Sequence, residues 1–371
     1  MQAEIKEIKS LKDIRKFIKF PHKLYKNNSS YVPVIDADEL ESLTKSPSLE
    51  YCRIRLWLAY SSSGEIVGRI AAIINPRVNE FQNTRRIRFG WFDFVDDIEV
   101  AAALLQKAEN WGREEGMTDI HGPLGYNTWG RQGMLIEGFE NTPPSNCLYN
   151  YSYYPMIMDR LEYAKQVDWI QIKIYANVGV PEKLRKLNEL LLQKYKLRVM
   201  PLEEFKNEKH LLMEFFKSYN ESFRNIDNFV PLTESEVIKI GKDYIPMLNP
   251  DLTCILVDEK RSVAAFAICF PNMSEPFKKA KGKTFPLGWY YLLKGFRKFD
   301  SIDLMLLGAA PQWQNKGISS IIHTYLATRF KDLDLKYAIT NPQAEDNSVG
   351  KVWDSYEHSP FMKRRCYIKN L

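Results

Sequence analysis

"GAAPQWQNKGISSIIHTYL", Gly308–Leu326, is the stretch from which the rest of the chain can be read. It follows a strand-like run, IDLMLL (Ile302–Leu307). It passes into a pattern that puts Ile318, Ile321, Ile322, Tyr325 and Leu326 on one helical face. Between the two lies Gln314-Asn315-Lys316-Gly317-Ile318-Ser319. The first N–H groups of a helix have no intrahelical partner, and the helix dipole adds about half a positive charge there. Gly317 permits backbone angles that other residues resist, and it puts no Cβ in the way of a ligand. Lys316 adds a full charge, and the small Ser319 adds a hydroxyl. Such a turn suits a phosphate or pyrophosphate. It is neither a Walker A loop nor a dinucleotide GxGxxG. The competing reading is a plain strand-to-helix turn.

Working outward, the chain states the same pattern twice. RIRLWLAY (Arg53–Tyr60) and IVGRIAAII (Ile66–Ile74) flank a Ser/Gly turn, as two strands of a hairpin do. LTCILV (Leu252–Val257) and SVAAFAICF (Ser262–Phe270) repeat this around DEKR. Each hairpin is followed by a strand, a helix and a further strand. The first set is Arg86–Phe94, a helix with Ala101, Ala102, Leu105, Ala108 and Trp111 on one face and Gly116 as its cap, then Thr118–Leu124. The second is Ile302–Leu307, the helix after Gly317, then Lys336–Thr340. Two α/β domains of like topology are expected, joined without a low-complexity linker and therefore packed tightly.

Composition sets the class. With 371 residues, 45% hydrophobic and 26% charged, the chain reads as a soluble globular protein of two domains. The longest apolar runs fall far short of the ~20 residues of a membrane span, and the charged N-terminus is unlike a signal peptide, so a cytoplasmic protein is expected. Cys52, Cys147, Cys254, Cys269 and Cys366 are scattered and read as reduced structural thiols. The five histidines are dispersed too, so no metal site is expected. A net charge of +6 is mild for this length and does not imply nucleic acid. The most basic stretch, Phe277–Phe299, reads as a solvated face around an amphipathic helix. Its alternative is that Lys278, Lys279, Lys281 and Lys283 lie near a ligand phosphate or a membrane surface.

QNKGIS (Gln314–Ser319) resembles the [QR]xxGx[GA] signature of the GNAT superfamily of acyl-CoA N-acyltransferases, with Ser319 departing from the usual Gly or Ala. The order of strands and helices around it is similar as well. The whole chain resembles a bacterial tandem-GNAT family through VGRIAAIIN, IHGPLGYNTWG, GMLIEGFENTPP, NFVPLTE, AEDN and KRRCYIK. That resemblance implies an α/β (α+β) protein of two tandem GNAT-like domains, each a mixed, mostly antiparallel sheet flanked by helices, at residues 1–170 and 171–371. It implies acetyl-CoA as cosubstrate, with no metal. The pyrophosphate would lie on Gln314, Asn315, Lys316, Gly317, Ile318 and Ser319. The pantetheine arm and carbonyl would lie along Leu306, Leu307, Gly308 and Ala309. The departing thiolate needs a proton donor and the amine a proton acceptor. Tyr356, Glu345 and Asn347 are the catalytic candidates, against bland readings in which Tyr356 packs and Asp346 or Asn347 caps a helix.

The matching turn of the first half, FVDDIEVAAALL, puts Asp96, Asp97 and Glu99 at its helix start. Acids there stabilise the helix and repel a pyrophosphate, so the first half is expected to be a degenerate copy. Its loop His121–Gly133 would be either a wall of an acceptor pocket or a surface loop ordered by Trp129. The expected activity is acyl transfer to a small-molecule or peptide amine, with no nucleic-acid partner and no membrane span. Acceptor identity and oligomeric state are set by nothing in the sequence. The alternatives are a Fem-type aminoacyl transferase and a non-catalytic CoA-binding protein of the same fold.

Overall fold

A computed structural model describes residues 3–175, 180–345 and 356–371. In the first half the strands are β1 (Glu4–Ile8), β2 (Arg53–Tyr60), β3 (Ile66–Ile74), β4 (Arg86–Phe94), β5 (Asp119–Gly122), β6 (Met134–Glu137) and β7 (Ala164–Tyr175). They continue as β8 (Arg198–Val199), β9 (Thr253–Val257), β10 (Val263–Pro271), β11 (Ser301–Ala309), β12 (Tyr337–Thr340), β13 (Gln343–Ala344) and β14 (His358–Asn370). The helices are α1 (Leu11–Leu24), α2 (Asp36–Lys45), α3 (Pro76–Phe81), α4 (Ile98–Glu114), α5 (Tyr153–Arg160) and α6 (Glu182–Tyr195). After them come α7 (Leu202–Asn207), α8 (Lys209–Ser222), α9 (Glu234–Tyr244), α10 (Ser274–Ala280), α11 (Gly288–Arg297) and α12 (Ile318–Asp332).

Both expected hairpins form where the β-branched runs placed them. All the strands join one sheet, in the order β1-β2-β3-β4-β5-β14-β7-β12-β11-β10-β9-β8, with β6 beside β14 and β13 beside β7. The order reads the same from either end. β4 and β5 are parallel, as are β11 and β12. β5 meets β14 antiparallel, as β12 meets β7. The repeat seen in the sequence is therefore a repeat of pairing. The β7–β14 pair at the centre serves both copies, and the division at residue 170 falls inside β7.

Helices cover both faces of each half. α4 starts where Asp97 accepts the Glu99 N–H at 2.9 Å and stops at Gly116, whose φ is +70°. It buries Val100, Leu104, Leu105 and Trp111 against the first-half core. α12 buries Ile318, Ile321, Ile322 and Leu326 against β9–β11. Each such side chain contributes roughly 1.5–3 kcal/mol. The opposite face of the second half carries α7–α9, with Leu211, Phe215 and Phe216 packed on Phe266 and Ile268. At the centre the buried Asp168 carboxylate accepts from Arg365 at 2.7 and 2.9 Å. The fully buried Arg364 points the other way and donates to Gln171 and to the Leu148 carbonyl. All five cysteines are buried and free.

Candidate functional site

β11 and β12 run side by side from Ser301–Tyr337 to Leu304–Thr340. The Asn341 N–H then donates to the Leu304 carbonyl at 3.0 Å and its side chain to the Met305 carbonyl at 3.2 Å. Beyond this point β12 ends, whereas β11 continues to Ala309. The parallel pair opens there, and the edge of Leu306–Ala309 on that side is left by β12. On its other edge β11 keeps pairing with β10, with a bulge where Ile268 faces Leu306 and Cys269 faces Leu304, so Met305 is the extra residue. A bulge of this kind re-aims the strand locally.

The strand ends in a short 3-10 turn at Pro311–Trp313. Gln314 folds back, its amide donating to the Ala309 carbonyl at 3.1 Å. Asn315 (φ +58°) and Gly317 (φ +75°) both take left-handed backbone, which for Gly317 carries no Cβ penalty. No side chain caps Gly317 at the start of α12. Gln314, Asn315, Lys316, Gly317 and Ser319 are exposed, while Ile318 is buried as the anchor. The Lys316 ammonium lies 4.9 Å from the Trp313 ring and 5.9 Å from that of Tyr195. The turn is thus open, electropositive and lined by backbone N–H groups.

Of the catalytic candidates, Glu345 is tied up at the β7–β14 junction, and Tyr356 packs beside α12 in the cluster that holds Leu307, Ala309 and Ile318. Glu345 pairs with Lys165 and, at 3.2 Å, with Lys363, and its N–H donates to the Asp168 carbonyl. The Lys165 hydrogen bond outweighs partial desolvation and holds its carboxyl below the usual range. Tyr356 packs on the second-half core, its ring 6.2 Å from that of His323 on α12. Burial pushes its phenol up. Asn347 and Asp346 lie outside the described residues.

The sequence reading passed over Asp303. It sits on β11 two residues before the bulge, fully enclosed, and accepts from the Asn272 amide at 2.8 Å. Burial pushes its carboxyl up to about 7 despite that donor. The signal was present in IDLMLL, an acid inside an apolar run.

Two adjoining cavities lie nearby, of which the first touches β11 and the second does not. An apolar one of about 40 Å³ is lined by Phe215, Phe216, Ile268, Phe270, Met305 and Leu306, among other apolar residues. A polar one of about 330 Å³ lies between the halves and carries Asp38, Glu39, Asp93 and Glu236 together with Arg69, Arg131 and Lys239. They share Trp129, Ile240 and Tyr244. The loop Leu124–Gly133 lines the polar cavity, and Trp129 crosses to pack on Phe216, Tyr219 and Tyr244. Glu236 is buried, but donors from Ser48, the Thr233 N–H, Tyr51 and Asn127 overcome desolvation and hold it ionised. Asp38 is pushed up by burial, with Arg131 opposing.

No family model matches the chain. It is 29% identical over 389 residues to Protein YghO of Escherichia coli, covering all of this chain and 96% of that one. It is 25% identical over 379 residues to the bacterial ceramide synthase of Caulobacter vibrioides, covering 98% and 96%. A solved tandem GNAT protein from the clavulanic acid biosynthesis pathway superimposes with a TM-score of 0.57 at 9% identity, over 100% of this chain and 98% of that one. The chain has the tandem GNAT fold.

Set against that fold, the two copies differ at the equivalent turn. In the first, Asp97 caps α4 with its own carboxylate and Glu99 follows. In the second, Lys316 and Gly317 stand there and nothing caps. Only the second copy of this tandem GNAT chain presents bare amides with a cation beside them.

Proposed function

We propose that the chain is an acyl-CoA-dependent N-acyltransferase, with its donor held by the second half and its amine received through the cavity between the halves. The observation that carries this reading is the uncapped, exposed turn at Gly317 directly after the open edge of β11. The N–H groups of Gly317, Ile318 and Ser319, with Lys316, would hold the pyrophosphate. Leu306–Ala309 would pair with the pantetheine arm. The thioester supplies an activated carbonyl, and backbone N–H groups near the bulge would stabilise its developing charge.

The rest falls to this chain's own groups. The polar lining of the cavity, in which Glu236 is held ionised, would receive the amine as its cation, which must lose a proton before it attacks. Asp303, enclosed on β11 and pushed up to about 7 by burial, lines neither cavity, so it would take that proton by relay rather than by direct contact. Glu345, held as a stable carboxylate, is a weaker base and serves to pin β7 to β14. Tyr356 keeps its proton and is suited to donate to the departing thiolate. The first half is the architectural copy and walls the acceptor cavity.

Acetyl-CoA is the donor expected from the sequence. A longer acyl chain with a hydrophobic amine is the second reading. It is favoured by the purely apolar cavity beside Met305 and by the relative named as a ceramide synthase. The test is a thermal-shift series with CoA thioesters of increasing chain length, followed by thiol release on addition of amines. A saturating donor at about 100 times its Kd should stabilise by about 2.7 kcal/mol, and Lys316→Glu should abolish the shift. No stabilisation by any CoA species overturns the proposal.

A further inference from the structure

The connection between β10 and β11 is a helical hairpin, α10 and α11, at the far end of β11 from the Gly317 turn. One side of it is fixed to the body. The Ser274 hydroxyl donates to the Pro143 carbonyl at 2.8 Å, the Lys278 ammonium to Thr142 at 2.9 Å, and the Asp36 N–H to the Gly282 carbonyl at 2.9 Å. Gly295 lets the two helices close on each other, since a Cβ there would lie 2.5 Å from Pro276.

The other side faces solvent and is apolar. Phe285 is 80% exposed, Leu287 57% and Trp289 54%, with Tyr290 and Leu293 beside them. Among the described residues these are five of the twelve large hydrophobics left exposed, and they fall within residues 285–293. Around them stand exposed Lys279, Lys281, Lys283, Lys294, Arg297 and Lys298. Between Asn272 and Phe299 there are seven basic residues and one acid, Glu275, a surplus of six that equals the net +6 of the whole chain. A contiguous apolar patch on a soluble face marks an interaction site. Exposed aromatics with exposed cations on both sides of them in the chain match a bilayer surface with anionic headgroups, where Trp and Tyr settle at the interface and Lys and Arg reach the phosphates.

We infer that the α10–α11 hairpin docks this protein onto anionic membrane surfaces, with Phe285, Leu287 and Trp289 entering the headgroup layer and the lysines fixing them there. The inference does not depend on acyl transfer. The test is co-sedimentation of the full chain with vesicles of phosphatidylcholine alone and of phosphatidylcholine mixed with phosphatidylglycerol. Binding to the mixed vesicles alone is expected, weakening as salt is raised. The double reversal Lys281→Glu/Lys283→Glu should lower the partition coefficient about tenfold or more. Phe285→Ser/Trp289→Ala should lower it while leaving the salt dependence in place. All these side chains are exposed, so both variants should melt with the parent and keep any CoA-induced thermal shift. Equal binding by parent and variants overturns the inference, as does failure of the parent to bind mixed vesicles. Displacement from vesicles by a single-stranded RNA, at concentrations that bind the parent but not the lysine variant, would reassign the patch to nucleic acid.

Discussion

Asp303 shows how far one residue can be read. Its carboxyl is enclosed, and burial pushes it up to about 7 although Asn272 donates to the charged form. In the unfolded chain an Asp titrates near 3.9, approximately. Between these values the folded chain keeps a proton that the unfolded chain releases. Its contribution to stability is therefore complete below about pH 4, falls as pH rises, and is gone above about 7. The full swing is at most about 4 kcal/mol. In Asp303→Asn that slope disappears. The urea midpoints of parent and variant should diverge in the variant's favour as pH goes from about 4 to about 8. Parallel curves would mean that Asp303 is ionised in the folded state, and its assignment as proton acceptor would go with it. Residue by residue, the sequence made the Gly317 turn legible because its chemistry is local. Asp303 was harder, because its pKa is raised by burial alone, against the Asn272 donor, and the packing that encloses it is not written in the neighbouring sequence. Glu345 could be seen as an acid near the right strand, but its partners Lys165 and Lys363 come from β7 and β14.

At the scale of elements, hairpins and helices were legible because their periodicity is local. Arg53–Tyr60 and Ile66–Ile74 form as read, and α4 and α12 bury the faces their patterns marked, except that Ala102 and Tyr325 are half-buried. What no periodicity carries is the placement of β14 between β5 and β7, a pairing of the last strand with the first half. Asp168 holds that junction. Its carboxylate is buried, paired twice to Arg365 and, at 3.2 Å, to Lys363. Desolvation raises its pKa, but the Arg365 and Lys363 hydrogen bonds outweigh this and depress it. Among the described residues, Asp168→Ala leaves Arg365, Lys363 and Lys165 with Glu345 as their one remaining carboxylate, which pairs with the two lysines and not with Arg365. Because those cations are partly exposed and can rehydrate, the expected loss is about 2–3 kcal/mol, under the full cost of breaking a buried pair. A depressed carboxyl contributes above its unfolded pKa and loses that contribution as pH falls through the folded one. The gap between parent and Asp168→Ala in urea midpoint should therefore be widest at neutral pH and close in acid. A gap independent of pH would show that packing, rather than charge, accounts for the loss.

At the scale of the molecule, a sheet that reads the same from either end has two equivalent strand-to-helix turns, and symmetry alone would give two donor sites. Charge breaks that symmetry. At α4 the first-turn amides meet the Asp97 carboxylate, which takes the Glu99 N–H, with Asp96 beside it. A diphosphate placed there would have to displace one carboxylate and sit against another, each repelling it through partly excluded solvent. At α12 the same amides are uncapped and Lys316 lies among them. The chain should bind one CoA, and calorimetric titration should return a stoichiometry of one that falls to zero in Lys316→Glu. Reversing the first-half charges in Asp96→Lys should leave both stoichiometry and affinity unchanged, because the Asp97 cap stays in place. A stoichiometry of two in the parent would show that fold symmetry outweighs these local charges, and the assignment of the donor to one half would have to be abandoned.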